Sequence, residues 1–274
     1  MNPYDGKVCV VTGATSGNGE GIAKALLRRG ATVYALGRNH GKLWGMEEMG
    51  AIPLYVDLGC LPSITHAASV ILEGPKVDYL FHMAGNALYG APDVYQKGEF
   101  YFTDMLAPRR LTHALVDHFN DGGHVAVVTS GSAALGDIAE LAYYQKVKRE
   151  VVKWWFDSYK WLHYKGITST LISMGVINTG IWHRTEGIDR VTRAVIRKVV
   201  PGPKKWTQQI LADVAAGEPM SYPGMLASLA PLDGKTGQYR MNPVVKATVT
   251  TAARTWLGLG TRLSGLSKRM RGTT

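Results

Sequence analysis

Six short apolar runs separated by longer amphipathic stretches leave this chain few folds to adopt. VCVVT (8–12), TVYAL (32–36), IPLYV (52–56), VDYLFHM (77–83), HVAVVT (124–129) and TSTLIS (168–173) are rich in β-branched residues and are predicted to be buried strands. Between them, near 18–29, 39–49, 62–73, 93–118 and 140–164, the pattern predicts helices. Strand and helix alternating in this way imply right-handed crossovers and a parallel sheet covered on both faces. Nothing repeats at a fixed period and no Ser/Pro-rich linker divides the chain. The expected fold is therefore α/β, a single doubly wound (Rossmann-type) parallel sheet over residues 1–242. From about 180 the rhythm fails, so 180–203 is expected to form a substrate lid and 243–274 a basic amphipathic appendage.

Composition narrows the setting. Two cysteines, Cys9 and Cys60, are too few for a disulfide framework or a zinc site, so a reducing cytoplasm is the expected location and no metal is expected. No run approaches the ~18 apolar residues of a membrane span. The opening MNPYDGK carries an acid and leads straight into a strand, which is not the pattern of a signal peptide. Lys and Arg outnumber Asp and Glu by 31 to 21. Eight of the basic residues follow Asp233, the last acid, and the preceding 233 residues are close to neutral at +2. A nucleic-acid partner is not expected, because its protein carries basic residues across a whole face.

The first strand runs into Thr12-Gly13-Ala14-Thr15-Ser16-Gly17-Asn18-Gly19 before the first helix. Glycines at 13, 17 and 19 allow a tight turn and close backbone approach to a diphosphate, and the helix N-terminus supplies free N–H groups. The spacing is neither G-x-G-x-x-G nor that of a Walker loop. At the end of the second strand, where an acid would accept bonds from ribose hydroxyls, the chain has Leu36-Gly37-Arg38-Asn39. Arg38 can instead form a charge-assisted fork to a 2′-phosphate, so NADP(H) is expected rather than NAD(H).

Tyr144 and Lys148 stand at i and i+4 at the start of the 140–164 helix and share a face. Ser130 and Ser132 follow an apolar strand about a dozen residues earlier. A phenol beside an ammonium suits proton exchange at a carbonyl oxygen, because the cation stabilises the phenolate, and a serine hydroxyl can polarise the same oxygen.

These motifs in this order, with Asp57, Ala84-Gly85 and Gly175 to Thr179, resemble the short-chain dehydrogenases/reductases across most of residues 7–180. The resemblance implies that Asp57 contacts adenine. It implies that Lys148 binds the nicotinamide ribose while easing ionisation of Tyr144, the proton donor or acceptor. Thr179 would hold the nicotinamide carboxamide or a phosphate. Ser130 is the preferred serine because Ala133 and Gly136 follow it at the offsets where the family has small residues; Ser132 is the alternative. The chain also departs from the family. Asn-Asn-Ala-Gly appears as His82-Met83-Ala84-Gly85, the glycine-loop Ile is Asn18, Pro-Gly is Met174-Gly175, and the proton-relay Asn aligns with Asp104. Asp104 either orients a relay water or only caps and hydrogen-bonds locally.

Tyr89, Leu135, Tyr143, Ile181, Trp182 and His183 follow motif positions that should line the site, giving an aromatic, mostly apolar substrate pocket. The expected activity is reduction of a carbonyl in an apolar substrate, or the reverse. A redox-neutral relative or a nucleotide-sensing protein is the alternative. The aromatic run Trp154, Trp155, Phe156, Tyr159, Trp161 and Tyr164 is expected at a homodimer or homotetramer seam. In the tail, Val245, Val249, Ala252 and Trp256 open an apolar stripe that continues to Met270, although Gly258, Gly260 and Gly265 weaken the helix. The stripe is expected to pack on the domain or a second subunit. Weak peripheral contact with an anionic membrane is the second reading.

Overall fold

A computed structural model describes residues 2–178 other than 87, 89 and 91, residues 200–224 and 246–253, and residues 194, 197, 198, 231, 238, 239, 241, 243 and 244. Seven parallel strands form one sheet in the order β3-β2-β1-β4-β5-β6-β7. They are β1 (Val8–Thr12), β2 (Thr32–Gly37), β3 (Ile52–Tyr55), β4 (Val77–His82), β5 (Phe119–Ser130), β6 (Thr168–Met174) and β7 (Met220–Ser221). The order in which successive strands are added switches from one side of β1 to the other between β3 and β4, which opens a crevice beyond the carboxyl ends of β1 and β4.

The central strands are apolar on both sides because both faces are covered. Helices α1 (Gly17–Leu27) and α2 (His40–Glu47) pack with Val11, Val33 and Ile172 on one face. Helices α3 (Leu61–Leu72), α4 (Val94–Tyr101), α5 (Ala107–Leu115) and α6 (Ala142–Tyr164) lie on the other, with Val10, Leu80 and Val127.

The structure adds to one expectation and corrects two. Between the expected lid (180–203) and appendage (243–274), where no element was expected, α7 (Pro203–Ala215) is a regular helix of the fold, seated on α1, and β7 extends the sheet beyond β6. Contact with α1 is so close that a methyl on Gly21 would meet Thr207 Oγ1. The stretch expected as one helix over 93–118 is broken by a π-helical turn at Phe102–Leu106. Pro108 has no N–H to offer the Asp104 carbonyl, so regular α-helical bonding cannot pass this point. Finally, Trp154 and Trp155 are buried in the chain's own core, and Trp161 stacks on His113 at 4.6 Å, leaving only Tyr159 and Tyr164 of the aromatic run clearly exposed.

Two histidines are buried among the strands. His82 Nε2 pairs with Thr112 Oγ1 at 2.8 Å, and His124 lies between the hydroxyls of Thr168 (2.8 Å) and Thr170 (2.9 Å). Burial pushes His82 down to about 3 and His124 down to about 4, from an ordinary 6.5. The unfolded chain takes up these protons near pH 6.5 and the folded chain does not. Their contribution is therefore present above 6.5 and lost as the pH falls toward 4 and 3, at about 1.4 kcal/mol per pH unit for each histidine. The urea midpoint should fall steeply from pH 6 to pH 4, and His82→Asn, which retains a partner for Thr112, should flatten the decline. A midpoint constant over that range would refute this account.

Candidate active site

The glycine turn joins the ends of β1 and β4. Thr12 Oγ1 accepts the N–H groups of Met83 and Ala84, both at 3.1 Å. Gly13 takes φ +69°, and a Cβ there would lie 2.8 Å from the Ala84 Cα, so no side chain is admitted. A Cβ on Gly19 would run into the Gly13 carbonyl. The turn thus presents bare backbone and the N-terminus of α1 to the crevice, with Ser16 at the N-cap position and its hydroxyl making no capping hydrogen bond. Thr15 is buried against Gly37 and closes the space between the turn and β2.

At the outer end of the crevice, Arg38 is half-exposed and paired with two carboxylates, Glu99 at 3.1 Å and Asp57 at 3.5 Å. Asp57 Oδ1 also accepts the Gly59 N–H at 2.9 Å. Glu99 is carried by α4 and was not legible in the sequence as part of this region.

At the inner end, α6 carries Tyr144 and Lys148 on one face, as their spacing predicts. Lys148 Nζ lies 5.6 Å from the centre of the Tyr144 ring and 2.5 Å from Asp104 Oδ1. The π turn delivers Asp104 to this point, and both charged groups are buried. Asp104 Oδ2 accepts the Asn86 N–H at 3.3 Å. Gly85 leaves room for the pair, since a Cβ there would sit 3.1 Å from Asp104 Oδ1 and 3.6 Å from Lys148 Nζ. Burial works against the Lys148 ammonium, but the Asp104 carboxylate outweighs it and holds the lysine pKa above its ordinary value. Burial raises the Asp104 pKa as well, against the pull of Lys148. Phe100 supports the Tyr144 ring at 5.6 Å.

Ser130 and Ser132 are not alternatives along an extended strand. Ser130 ends β5, a 3₁₀ turn follows, and the two hydroxyls hydrogen-bond each other at 2.9 Å, with Ser130 Oγ also accepting the Ser132 N–H. The loop carrying them and Leu135 is held against α6. Gln145, fully buried beside Tyr144, donates to the carbonyls of Ser132 (2.8 Å) and Gly136 (3.2 Å) and accepts the Ile138 N–H. Arg149 donates to the carbonyls of Ala133 and Leu135. A polar residue in the middle of a buried helix face was the available signal for Gln145.

Tyr239, also missed, has its hydroxyl buried beside Ser173 and Thr129, and burial pushes it up to about 12, with hydrogen bonding to those two hydroxyls working against the rise. From the start of the tail, Thr250 accepts the Gly136 N–H at 3.0 Å and is buried, whereas Ala252 of the expected stripe is exposed. The inward side of this segment is therefore offset from the apolar stripe. Tyr89, Thr179, Trp182, His183 and most of the lid lie outside the described residues, as does the tail after 253.

The short chain dehydrogenase family profile matches residues 7–187. Hydroxynaphthalene reductase arp2 of Aspergillus fumigatus is 29% identical over 146 residues, which are 49% of this chain and 53% of that protein, so the chain spans only about half the relative's length. Among solved structures, a short-chain dehydrogenase from Sphingobium yanoikuyae in complex with NADPH superposes with TM-score 0.70 at 20% identity, covering 78% of this chain and 87% of that one. One from Burkholderia phymatum in complex with NAD gives 0.69 at 20% identity, covering 80% and 89%. These two likenesses concern the fold. Among the described residues no helix is long and apolar enough to cross a membrane.

Proposed function

Because the chain belongs to the short-chain dehydrogenase/reductase family of oxidoreductases, we propose that it is an NADP(H)-dependent reductase of a ketone or aldehyde in an apolar substrate, or catalyses the reverse oxidation. The observation carrying this reading is the cluster of Tyr144, Lys148 and Asp104, with the paired serine hydroxyls on the loop that α6 holds. The crevice fits a dinucleotide, since its glycine turn leaves a cradle that a Cβ at 13 or 19 would fill. Gly13, Thr15, Ser16, Gly17 and Gly19 would follow the diphosphate, Ala84 and Gly85 the inner ribose, and Asp57 the adenine. Asn18 would line the cofactor site beside the glycine turn. Lys148 would hold the ribose hydroxyls and Thr179 the nicotinamide side.

A bound NADPH would supply hydride to the carbonyl carbon. Tyr144 would give its proton to the carbonyl oxygen as that oxygen gains charge, and Ser130, oriented by Ser132, would donate a hydrogen bond to the same atom. Lys148 would stabilise the phenolate left behind. Leu135, with Tyr89, Trp182 and His183, would wall the substrate side.

NADPH is assigned over NADH on the Arg38 guanidinium at the end of β2. Relatives of this fold hold either cofactor, so the chain's own residues decide. A 2′-phosphate would have to displace Glu99 from Arg38. NADPH is therefore expected to bind more tightly than NADH, and Glu99→Gln to tighten NADPH several-fold while leaving NADH unchanged. Titrations with both nucleotides, followed by absorbance at the reduced nicotinamide band with a panel of ketones and aldehydes, test this. Equal or tighter NADH binding would overturn the Arg38 assignment, and cofactor binding without turnover would favour a sensor.

The tail is proposed to close one side of the substrate entrance, because Thr250 grips the same loop that presents Leu135 and the serines. Deleting residues 244–274 should lower stability and weaken substrate binding more than cofactor binding. A truncated protein of unchanged stability and activity would refute the packing. Sedimentation with anionic liposomes at low salt reads the membrane alternative. Sedimentation velocity of the intact protein reads the homodimer or homotetramer, for which Tyr159, Tyr164, Val94 and Tyr95 offer exposed apolar surface.

A further inference from the structure

Asn18 occupies the second position of α1, at the carboxyl end of the sheet, where its amide reaches across to the end of β6. Its Nδ2 donates to Met174 Sδ at 3.7 Å, while its Oδ1 is buried and has no hydrogen-bond partner among the described residues. Buried amide oxygens are nearly always satisfied, so an orphan on a crevice wall marks where a ligand's donor belongs. Met174 ends β6 and stands in register with Ser130 at the end of β5. Asn18 therefore borders the inner end of the crevice, on the glycine-turn side of Ser130, and far from Arg38 across the sheet.

If hydride is to reach a carbonyl held by Ser130 and Tyr144, the reactive ring of the dinucleotide must come to this end and the adenosine must lie toward Arg38. At the ring, the carboxamide is the group that carries N–H donors. We propose that Asn18 is a cofactor-positioning residue whose Oδ1 accepts a hydrogen bond from the nicotinamide carboxamide N–H, fixing the rotation of the ring against Met174. The inference rests on the reductase reading above and adds to it a recognition contact made by this chain's own asparagine.

The test is a binding cycle that needs no turnover. NADP⁺ and 3-acetylpyridine adenine dinucleotide phosphate, which keeps the carbonyl oxygen but carries methyl in place of NH₂, are titrated into wild type and Asn18→Leu, with Asn18→Ala as a second variant. Loss of one hydrogen bond to a buried acceptor corresponds to roughly tenfold in affinity. Wild type is expected to prefer the carboxamide by at least that factor, and both variants to lose about tenfold of the preference while binding the acetyl analogue as before. A preference that survives in both variants within about twofold overturns the contact. So does its absence in wild type, and so does an equal loss of affinity for both nucleotides in the variants. Failure of wild type to bind either nucleotide would overturn the contact together with the reductase reading, and is distinguishable from the other outcomes by that measurement alone.

Discussion

Tyr144→Phe is expected to reduce kcat by about 10²–10⁴-fold while leaving NADPH binding within about twofold. The substitution removes one oxygen and keeps the ring, which is held by Phe100 at 5.6 Å and packed on the core formed with α6. Folding and crevice geometry should therefore survive, and the loss measures proton transfer alone. Lys148 would remain paired with Asp104, with no phenolate to stabilise. Rates at saturating cofactor, with NADPH titration as the control, check the expectation. Activity within a few-fold of wild type would show that another group handles the proton.

Asp104→Asn is expected to move the pH–rate profile toward lower pH by about one unit or more. In the native site the carboxylate lies 2.5 Å from Lys148 Nζ and neutralises much of its charge. The asparagine amide retains an oxygen for the Asn86 N–H but no charge, so burial acts on Lys148 without the Asp104 carboxylate to oppose it and pulls the lysine pKa down. The ammonium is then lost at lower pH, and the sign is the same in either direction, because the charged lysine serves both oxidation and reduction. The same change leaves a buried cation without its counter-ion, and breaking such a pair costs about 3–5 kcal/mol. Asn should soften the loss by keeping an acceptor, whereas Asp104→Ala should show it in full by denaturant unfolding. A profile that does not move would mean that Asp104 serves only to hold the π turn in place.

The parallel sheet was legible because burial on both faces forces continuous apolar strands such as Val8–Thr12, whose side chains are all buried. The Tyr144–Lys148 pair was legible because i,i+4 spacing on a helix needs no knowledge of the rest of the chain. Helix α7 was missed although Thr207, Ile210, Leu211 and Val214 recur at helical spacing, because Lys204, Lys205 and the surrounding Gly and Pro residues interrupt the strand–helix rhythm. Strand β7 has only two residues, too few for any periodicity.

From the sequence alone came the doubly wound α/β architecture, the glycine turn, the phenol–ammonium pair and the arginine at the end of β2. All of these are encoded by neighbours a few residues apart. Only the tertiary structure decided that Asp104 neutralises Lys148 from 44 residues away, that Glu99 holds Arg38 from 61 residues away, and that Gln145 and Thr250 grip the serine loop from two sides. Such contacts depend on where each crossover returns its helix to the sheet. A shift of one residue in any strand register would separate the partners by several ångströms, and no local pattern records that sum.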